Sequence, residues 1–284
     1  SDSLTAHTAF SKKGKEGQTM QKIGFIGCGQ MGGALAAAAA KTVGGENIWI
    51  AGSTPAKTAA RAEELGVSAS DAESIARTCR LIFIGVKPPV VPEIVESLRP
   101  MLAERTEPFV LVSMAAGISI ADIQNGTSVP VIRIMPNTPV SVGEGVIAYS
   151  VSPEVTEEDE ALFLQSMKQA GIADKLPEKL MDAAGAVSGC GPAFVYLFLE
   201  ALADGAVACG MPRAKAEAYA RQTVLGAARL SQESGRHTAQ LKDAVCSPGG
   251  TTIEGVRTLE KEGFRAAAMD AVIAAYEKTG RLKK

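Results

Sequence analysis

Short apolar runs alternate with longer segments of helical periodicity between residue 20 and residue 180. The runs with the length and composition of buried strands lie at residues 22–26, 47–51, 81–86, 109–113, 131–135 and 145–149. Apolar positions three and four residues apart predict helices at residues 29–41, 55–65, 91–102, 120–124 and 157–170. Strands that are continuously apolar are typical of a parallel sheet covered by helices on both faces. The pattern therefore predicts an α/β fold with a doubly wound, mostly parallel sheet.

The pattern changes after residue 180, where the strand-like runs stop. Helical segments follow at residues 180–209, 213–234, 238–245, 252–261 and 264–282. The first of these is interrupted by the sequence Gly189-Cys190-Gly191-Pro192. We therefore predict a sheet domain at residues 20–179 and an all-helical domain at residues 180–284.

The first helix of the second domain has almost no polar face. Between residues 193 and 207 its only charged residues are Glu200 and Asp204. A helix that is apolar on nearly all sides has to be buried. Its partner is either its own domain or a second subunit, and the small size of the domain favours a second subunit.

Residues 1–19 are polar and aperiodic, in contrast to the clean strand that follows them. They contain no apolar core of the kind that a secretory signal needs. We interpret them as a disordered extension or an expression remnant and leave them out of the fold.

Composition and charge exclude several classes of protein. The net charge is −2 and 46% of the residues are hydrophobic, so a globular core is expected but no strong attraction to nucleic acid or membranes. No unbroken apolar run reaches about 18 residues, so we expect no membrane span. Five scattered cysteines without C-x-x-C spacing are typical of a reducing cytoplasm, and only two histidines make a metal centre unexpected.

A glycine-rich turn follows the first predicted strand and opens the first predicted helix. Gly27-Cys28-Gly29-Gln30-Met31-Gly32 matches G-x-G-x-x-G in the strand–turn–helix context that gives this pattern meaning. The first glycine permits the tight turn, the second lets the backbone approach a pyrophosphate, and the third lets helix and strand pack closely. A nucleotide-free βα turn is the alternative. We predict that the turn, including Gln30 and Met31, binds a dinucleotide in a Rossmann-type domain.

The end of the second strand bears on the choice of cofactor. A free ribose 2′-hydroxyl usually meets Asp or Glu at this position, and the sequence Ala51-Gly52-Ser53-Thr54 contains neither. Hydroxyls of Ser53 and Thr54, with Lys57 or Arg61 nearby, favour a 2′-phosphate and hence NADPH, with NADH still possible. An ordinary helix cap formed by Ser53 ahead of Pro55 is the alternative.

Later strand ends meet at the same edge of a parallel sheet, where ligands bind. The candidate cofactor contacts at these ends are Val86, Lys87, Pro88, Ala115, Ala116 and Asn137. For Lys87 a solvated loop position is an equal alternative.

The sequence "CSPGGTTIEG" at residues 246–255 interrupts the helical domain. Its glycines allow the backbone to curl ahead of a helix that starts near Thr252, so that free amides at the helix start face an anion. Ser247 can add a hydroxyl. On these residues alone, a plain helix–helix turn is an equal alternative.

Taken together, "GFIGCGQMGGAL", "VKPPVV", "SMAAGIS", "VIRIMPNTP", "SGCGPAFVY" and "LKDAVCSPGGTTIEGVRTL" resemble pyrroline-5-carboxylate reductase, in the right order over residues 20–284. The resemblance implies reduction of the C=N bond of (S)-1-pyrroline-5-carboxylate to L-proline by NAD(P)H, the last step of proline biosynthesis. It also implies a homodimer formed through the helical domain, with higher assemblies in many members.

The resemblance assigns roles in the helical domain as well. Ser247, Gly249, Gly250, Thr251 and Thr252 would bind the substrate, and Thr252 would stand beside the ring nitrogen as the catalytic residue. A protonated imine is already electrophilic, so no strong general acid is needed and none is evident. His237 is expected to cap or pack, and Cys190 and Cys246 are expected to be small core residues rather than nucleophiles.

Three other functions are compatible with parts of the pattern. β-Hydroxyacid dehydrogenases share the domain order, but they use a lysine in the first helix of the second domain, and this chain has no lysine between Lys179 and Lys215. A reductase of another cyclic or acyclic imino acid would use the same carboxylate site, which does not fix the ring size. A dinucleotide sensor without activity would keep the glycine turn but would have little reason to keep "SPGGTT".

Overall fold

The computed structural model describes residues 21–282, and the predicted extension at residues 1–19 lies outside the described residues. An eight-stranded sheet forms the first part of the chain, in the order β3-β2-β1-β4-β5-β6-β7-β8. Its strands are β1 (Ile23–Ile26), β2 (Ile48–Ala51), β3 (Ser68–Ala69), β4 (Leu81–Ile84), β5 (Val110–Ser113), β6 (Val131–Pro136), β7 (Gly145–Val151) and β8 (Gly171–Lys175).

Helices cover both faces of this sheet. They are α1 (Gln30–Val43), α2 (Pro55–Leu65), α3 (Ala72–Thr78), α4 (Val91–Ala103), α5 (Ile120–Gln124) and α6 (Glu157–Met167). The central strands β1, β4 and β5 are buried at every position, and separate apolar clusters pack on the two faces. The predicted doubly wound sheet is therefore confirmed.

Strand β7 departs from parallel pairing. It runs antiparallel to β6 and parallel to β8, so the sheet is mostly rather than wholly parallel. Only a short 3-10 turn, Thr138–Val142, lies between β6 and β7. A parallel crossover needs about a dozen residues or more, so this short connection forces the chain to reverse.

Three elements of the sheet domain are missing from the sequence prediction. Strand β3 has two residues, α3 has seven, and β8 is a partly exposed edge strand with the polar sequence "GIADK". The predicted helix at residues 157–170 ends earlier, at Met167, because the chain turns at Gly171 into β8. Edge strands often lack an apolar pattern, so hydrophobic periodicity does not reveal them.

The helical part begins soon after β8 ends at Lys175. It consists of α7 (Met181–Ala184), α8 (Gly191–Ala208), α9 (Arg213–Ser234), α10 (Thr238–Ala244), α11 (Thr251–Lys261) and α12 (Phe264–Leu282). Between α7 and α8 the segment Gly185–Gly189 is a π-helix, which ends where the predicted interruption at residues 189–192 begins. The α8 and α9 helices pack together, and α12 packs on the π-helix and α7.

The helical part has little core of its own in a single chain. Its α8–α9 cluster contains only the buried residues Ala203, Ala216 and Ala220. Large apolar side chains on α8 and α9 face outward, including Tyr196 at 61% exposed and Leu197 at 69%. By length and composition alone, Glu178–Ala208 is also the one segment of the described chain apolar enough to cross a membrane, with mean hydropathy 1.5 and 11% of its most apolar window buried. An exposed apolar surface of this kind indicates an interaction site that a partner covers.

A buried ion network joins the sheet to the helical part. Arg133 on β6 is 1% exposed and contacts Glu178 at 3.1 Å and Asp182 at 3.0 Å. Glu178 also accepts a hydrogen bond from the Ile120 amide at 2.8 Å. The start of the helical part is thereby held against the sheet.

Candidate active site

The glycine turn after β1 has the geometry that its sequence predicts. Gly27 has φ +92°, and a Cβ there would lie 2.7 Å from the backbone carbon of Gly85. A Cβ on Gly32 would collide with the carbonyl oxygen of Gly27, whereas a Cβ on Gly29 would meet nothing within 4 Å. Gly27 and Gly32 therefore permit close packing, and Gly29 borders open space at the start of α1.

A cleft of about 840 Å³ lies at this edge of the sheet, beyond β1 and β2. Of the predicted cofactor contacts, it is lined by Gly27, Gly29, Ser53, Thr54 and Val86. It is also lined by Thr58, Ser70, Asp71, Val90 and Ile94, which the sequence analysis misses. Ser70 and Asp71 follow β3, and recognising that short strand would have placed them at the same sheet edge.

The hydroxyl side chains after β2 have different hydrogen-bond roles. Thr54, not Ser53, caps α2: its Oγ1 accepts a hydrogen bond from the Lys57 amide at 3.3 Å. Thr58 Oγ1 accepts from the Gly52 amide and donates to the Thr54 carbonyl, both at 2.9 Å. The loop is thus fixed by Thr54 and Thr58, while Ser53 is exposed at the cleft.

Arg61 on α2 places positive charge beside the glycine turn. Its guanidinium lies against Gly33 of α1 and pairs with Glu64 at 2.6 Å. Its Nε is buried and has no hydrogen-bond partner among the described residues. A cation with an unused donor beside a free helix start fits a phosphate-bearing ligand.

Cys28, in the middle of the glycine turn, is chemically quiet. Burial raises the pKa of its thiol to about 12, against the opposing effect of the Arg61 charge. The thiol therefore stays protonated near neutral pH and is a poor nucleophile.

The remaining predicted cofactor contacts lie outside this cleft. Pro88 and Ala116 border a hollow of about 740 Å³ between α4 and α5. Gln30 and Met31 border a groove of about 590 Å³ between α1, α2 and the 3-10 turn Thr138–Val142. Lys87 is exposed, and Ala115 is buried at 2% exposed.

Asn137 is placed differently from the prediction of a cofactor contact. Its side chain is 7% exposed, and both of its polar atoms bind backbone groups. Oδ1 accepts from the Val146 amide at 2.8 Å, and Nδ2 donates to the Ser188 carbonyl at 3.0 Å. The residue therefore joins β6, β7 and the π-helix.

The "SPGGTT" loop forms a tight turn ahead of α11. Gly249 has φ +66°, and the Gly250 amide donates to the Ser247 carbonyl at 3.0 Å. Gly250 is the N-cap of α11 and has no side-chain cap, with Thr251 and Thr252 exposed in the first turn. The start of α11 thus presents amides and two hydroxyls outward.

In one chain this loop is not joined to the dinucleotide cleft. Among residues 21–282, α11 packs extensively only on α12. The approach of Thr252 to the cleft therefore depends on how chains associate.

His237 caps a helix, as the sequence analysis expects of it. Its Nδ1 accepts a hydrogen bond from the Ala239 amide at 3.2 Å at the start of α10. Cys246 is half-buried, but Cys190 is exposed in the single chain rather than part of the core.

Comparison with known proteins identifies similar families and relatives. The family model for pyrroline-5-carboxylate reductase dimerisation matches residues 178–282, and a model described as NADP oxidoreductase, coenzyme F420-dependent, matches residues 22–117. Pyrroline-5-carboxylate reductase of Escherichia coli (strain K12) is 40% identical over 270 residues, covering 93% of this chain and 99% of the relative.

Solved structures agree. Plasmodium falciparum pyrroline carboxylate reductase with NADP bound has TM-score 0.82 and 34% identity, covering 93% of this chain and 98% of the other. Pyrroline-5-carboxylate reductase from Coxiella burnetii has TM-score 0.85 and 30% identity, covering 94% and 100%.

Proposed function

The chain belongs to the pyrroline-5-carboxylate reductase family, and from this premise we propose how its own residues perform the family's reaction. The reaction is NAD(P)H-dependent reduction of the C=N bond of (S)-1-pyrroline-5-carboxylate to L-proline, the last step of proline biosynthesis. One observation carries the proposal: a single chain combines an open glycine turn at the start of α1 with an uncapped helix start at the "SPGGTT" loop.

The dinucleotide is held at the carboxyl edge of the sheet. The diphosphate lies over Gly29 at the start of α1, where the structure leaves space and free amides. The other contacts are Gly27, Gln30, Met31, Gly32, Ser53, Thr54, Val86, Lys87, Pro88, Ala115 and Ala116. When bound, the reduced nicotinamide supplies the hydride.

NADPH is the preferred cofactor. A 2′-phosphate at the end of β2 meets the exposed Ser53 and the positive charge of Lys57 and Arg61. The carboxylate of Asp71 also lines this cleft, and its pKa is held below the usual range chiefly by a hydrogen bond from the Ser74 backbone. It accepts bonds from both the amide and the hydroxyl of Ser74, so it stays ionised and its charge opposes a phosphate. The preference for NADPH therefore rests on Ser53, Lys57 and Arg61.

The substrate carboxylate is held by the turn ahead of α11. Ser247, Gly249, Gly250 and Thr251 lie at or just before the start of α11, whose N-cap makes no side-chain hydrogen bond. Several amides that converge with a favourable helix dipole stabilise a compact anion without a buried cation.

Thr252 positions the ring nitrogen. It is the second residue of α11, one position beyond the carboxylate site. Its hydroxyl oxygen accepts a hydrogen bond from the N–H of the protonated imine. Because the protonated imine is already electrophilic, catalysis rests on orientation and electrostatics rather than on a strong acid.

The chain divides at residues 179 and 180 into a dinucleotide-binding domain and a domain for substrate binding and dimerisation. The end of β8 at Lys175 and the start of the dimerisation match at residue 178 support this division. A second copy covers the exposed apolar face of α8 and α9, and dimers associate further into larger assemblies. The protein acts in the cytoplasm, in keeping with its five unpaired cysteines.

Thr252→Ala tests the catalytic assignment. We expect kcat to fall by about tenfold or more, because a hydroxyl that orients the reacting nitrogen is lost, while the Kd for NADPH stays unchanged. Thr252→Ser should recover most of the activity. The measurement is steady-state kinetics together with cofactor titration by fluorescence.

Thr258→Ala on the same helix is the matched control. Its Oγ1 bonds the Glu254 carbonyl at 3.0 Å within α11, so its loss should leave kcat unchanged. A Thr252→Ala variant as fast as the control would remove Thr252 from the active site.

A further inference from the structure

We propose that Asn137 is a positioning residue: it holds the backbone turn of residues 188–191 against the sheet edge at which substrate and cofactor meet. The inference rests on the proposed function. It departs from a direct cofactor contact, because both polar atoms of the side chain already bind the protein.

The Asn137 side chain does not cap its own turn, although its residue type and position favour a cap. It is the N-cap of the 3-10 turn Thr138–Val142, where an asparagine side chain commonly caps its own turn. It makes no such bond. Instead it spans nine residues forward to Val146 and 51 residues forward to Ser188.

The Ser188 carbonyl needs a donor from outside its helix because a proline stands where the helical donor would be. In an α-helix it would accept from the amide of residue 192, but Pro192 has no N–H. The next amide, that of Ala193, is used by the Cys190 carbonyl at 3.0 Å. Asn137 Nδ2 therefore donates to a carbonyl that Pro192 leaves without its helical donor. Without this bond the carbonyl would be unpaired, which is costly away from water.

The turn held in this way borders open space. Within the π-helix, the Cys190 amide donates to the Gly185 carbonyl at 3.2 Å, which widens the turn. Gly185 packs on Met135 at the end of β6, whereas a Cβ on Gly189 or Gly191 would meet nothing within 4 Å. A wide, glycine-lined turn beside the sheet edge lets a small substrate approach the backbone, and π-turns are frequent at functional sites.

Asn137→Asp isolates the bond to Ser188. One oxygen of the new carboxyl still accepts from the Val146 amide. When the carboxyl is ionised, its other oxygen faces the Ser188 carbonyl oxygen and repels it. When protonated it again donates to that carbonyl. Burial favours the protonated form, so the bond returns as pH falls.

The readout is the ratio of variant to wild-type kcat/KM for pyrroline-5-carboxylate between about pH 6 and about pH 8.5. We expect a loss of about tenfold or more at the high end that recovers at the low end, with the Kd for NADPH unchanged at both. The charged side chains on adjoining elements are Arg133 on β6, Glu144 before β7 and Asp182 on α7. Arg133 lowers the pKa of the introduced carboxyl, whereas the two carboxylates raise it, and only their own titration in both proteins divides out of the ratio.

Asn47→Asp is the matched control. Asn47 Nδ2 also donates to a backbone carbonyl, that of Val43 at 2.7 Å, but at the far end of α1. Its kcat/KM ratio should be flat with pH. Asn137→Ala serves as the second variant: it cannot donate at any pH, so its loss should be large and flat.

Two results overturn the proposal. One is a kcat/KM ratio near 1 for folded Asn137→Asp at the high end of the pH range; the other is an Asn137→Ala variant within about twofold of wild-type kcat/KM. Absence of turnover in the wild-type protein would instead refute the proposed function, so the two failures are distinguishable.

Discussion

Glycines 27, 29 and 32 serve different purposes within one turn. Gly27 needs its positive φ, and Gly32 lets α1 approach the Gly27 carbonyl. Gly29 has room for a side chain in the protein alone, so the demand for glycine there comes from the ligand.

Gly29→Ala and Gly32→Ala should therefore fail in different ways. We expect Gly29→Ala to keep the wild-type unfolding temperature while raising the Kd for NADPH about tenfold or more, because its methyl group enters the phosphate site. Gly32→Ala should lose about 1–3 kcal/mol of stability through collision with the Gly27 backbone. Thermal unfolding with and without NADPH measures both. A destabilised Gly29→Ala with normal affinity would contradict this division.

Single residues also show where sequence reasoning stops. The glycine turn is predicted because all of its determinants lie within six residues. Thr54 rather than Ser53 as the α2 cap is a one-residue difference that only backbone geometry decides. The role of Asn137 depends on a carbonyl 51 residues away, so the chain around it gives no indication.

At the scale of elements, Arg133 joins a strand to the beginning of the helical part. Its guanidinium is buried, and its two carboxylate partners, Glu178 and Asp182, lie on either side of the domain boundary at residues 179 and 180. A buried charge that is paired holds elements firmly, and one that loses its partner is costly.

Arg133→Met should lower the free energy of unfolding by about 3 kcal/mol, since the carboxylates lose their cation beneath the helical part. Arg77→Met is the control, because the Arg77–Glu104 pair is exposed at 51% and 68% and should contribute about 0–1 kcal/mol. Urea denaturation at one protein concentration measures both. Equal effects would mean that the buried network does not hold the two parts together.

Most elements are predictable because buried positions are apolar and recur with the period of the helix or strand. The four helices α2, α5, α9 and α12 begin and end at the predicted residues. Strands β3 and β8 are not predictable in this way, since a two-residue strand and a polar edge strand carry no apolar pattern. The reversal at β7 follows from connection length, which periodicity ignores.

At the scale of the whole molecule, the exposed apolar face of α8 and α9 is the main feature that one chain does not explain. The sequence leaves two partners open for α8, and in the single chain none of its large apolar side chains is buried. The family's dimerisation match spans this surface, which favours a second copy.

Leu197→Glu should therefore produce a folded monomer. Leu197 is 69% exposed in one chain, so the charge costs little there but is expensive in a covered interface. Ala60→Glu, at an exposed position of α2, should remain dimeric. Sedimentation velocity measures the mass of each. A dimeric Leu197→Glu variant would mean that the interface lies elsewhere.

The assay that tests the central claim most directly follows NADPH and NADH oxidation at the nicotinamide absorbance, with pyrroline-5-carboxylate and with its six-membered-ring homologue. The account predicts fast oxidation with the five-membered ring, and faster with NADPH than with NADH. Folded protein that binds NADPH but oxidises it with neither substrate would contradict the account and favour a dinucleotide sensor.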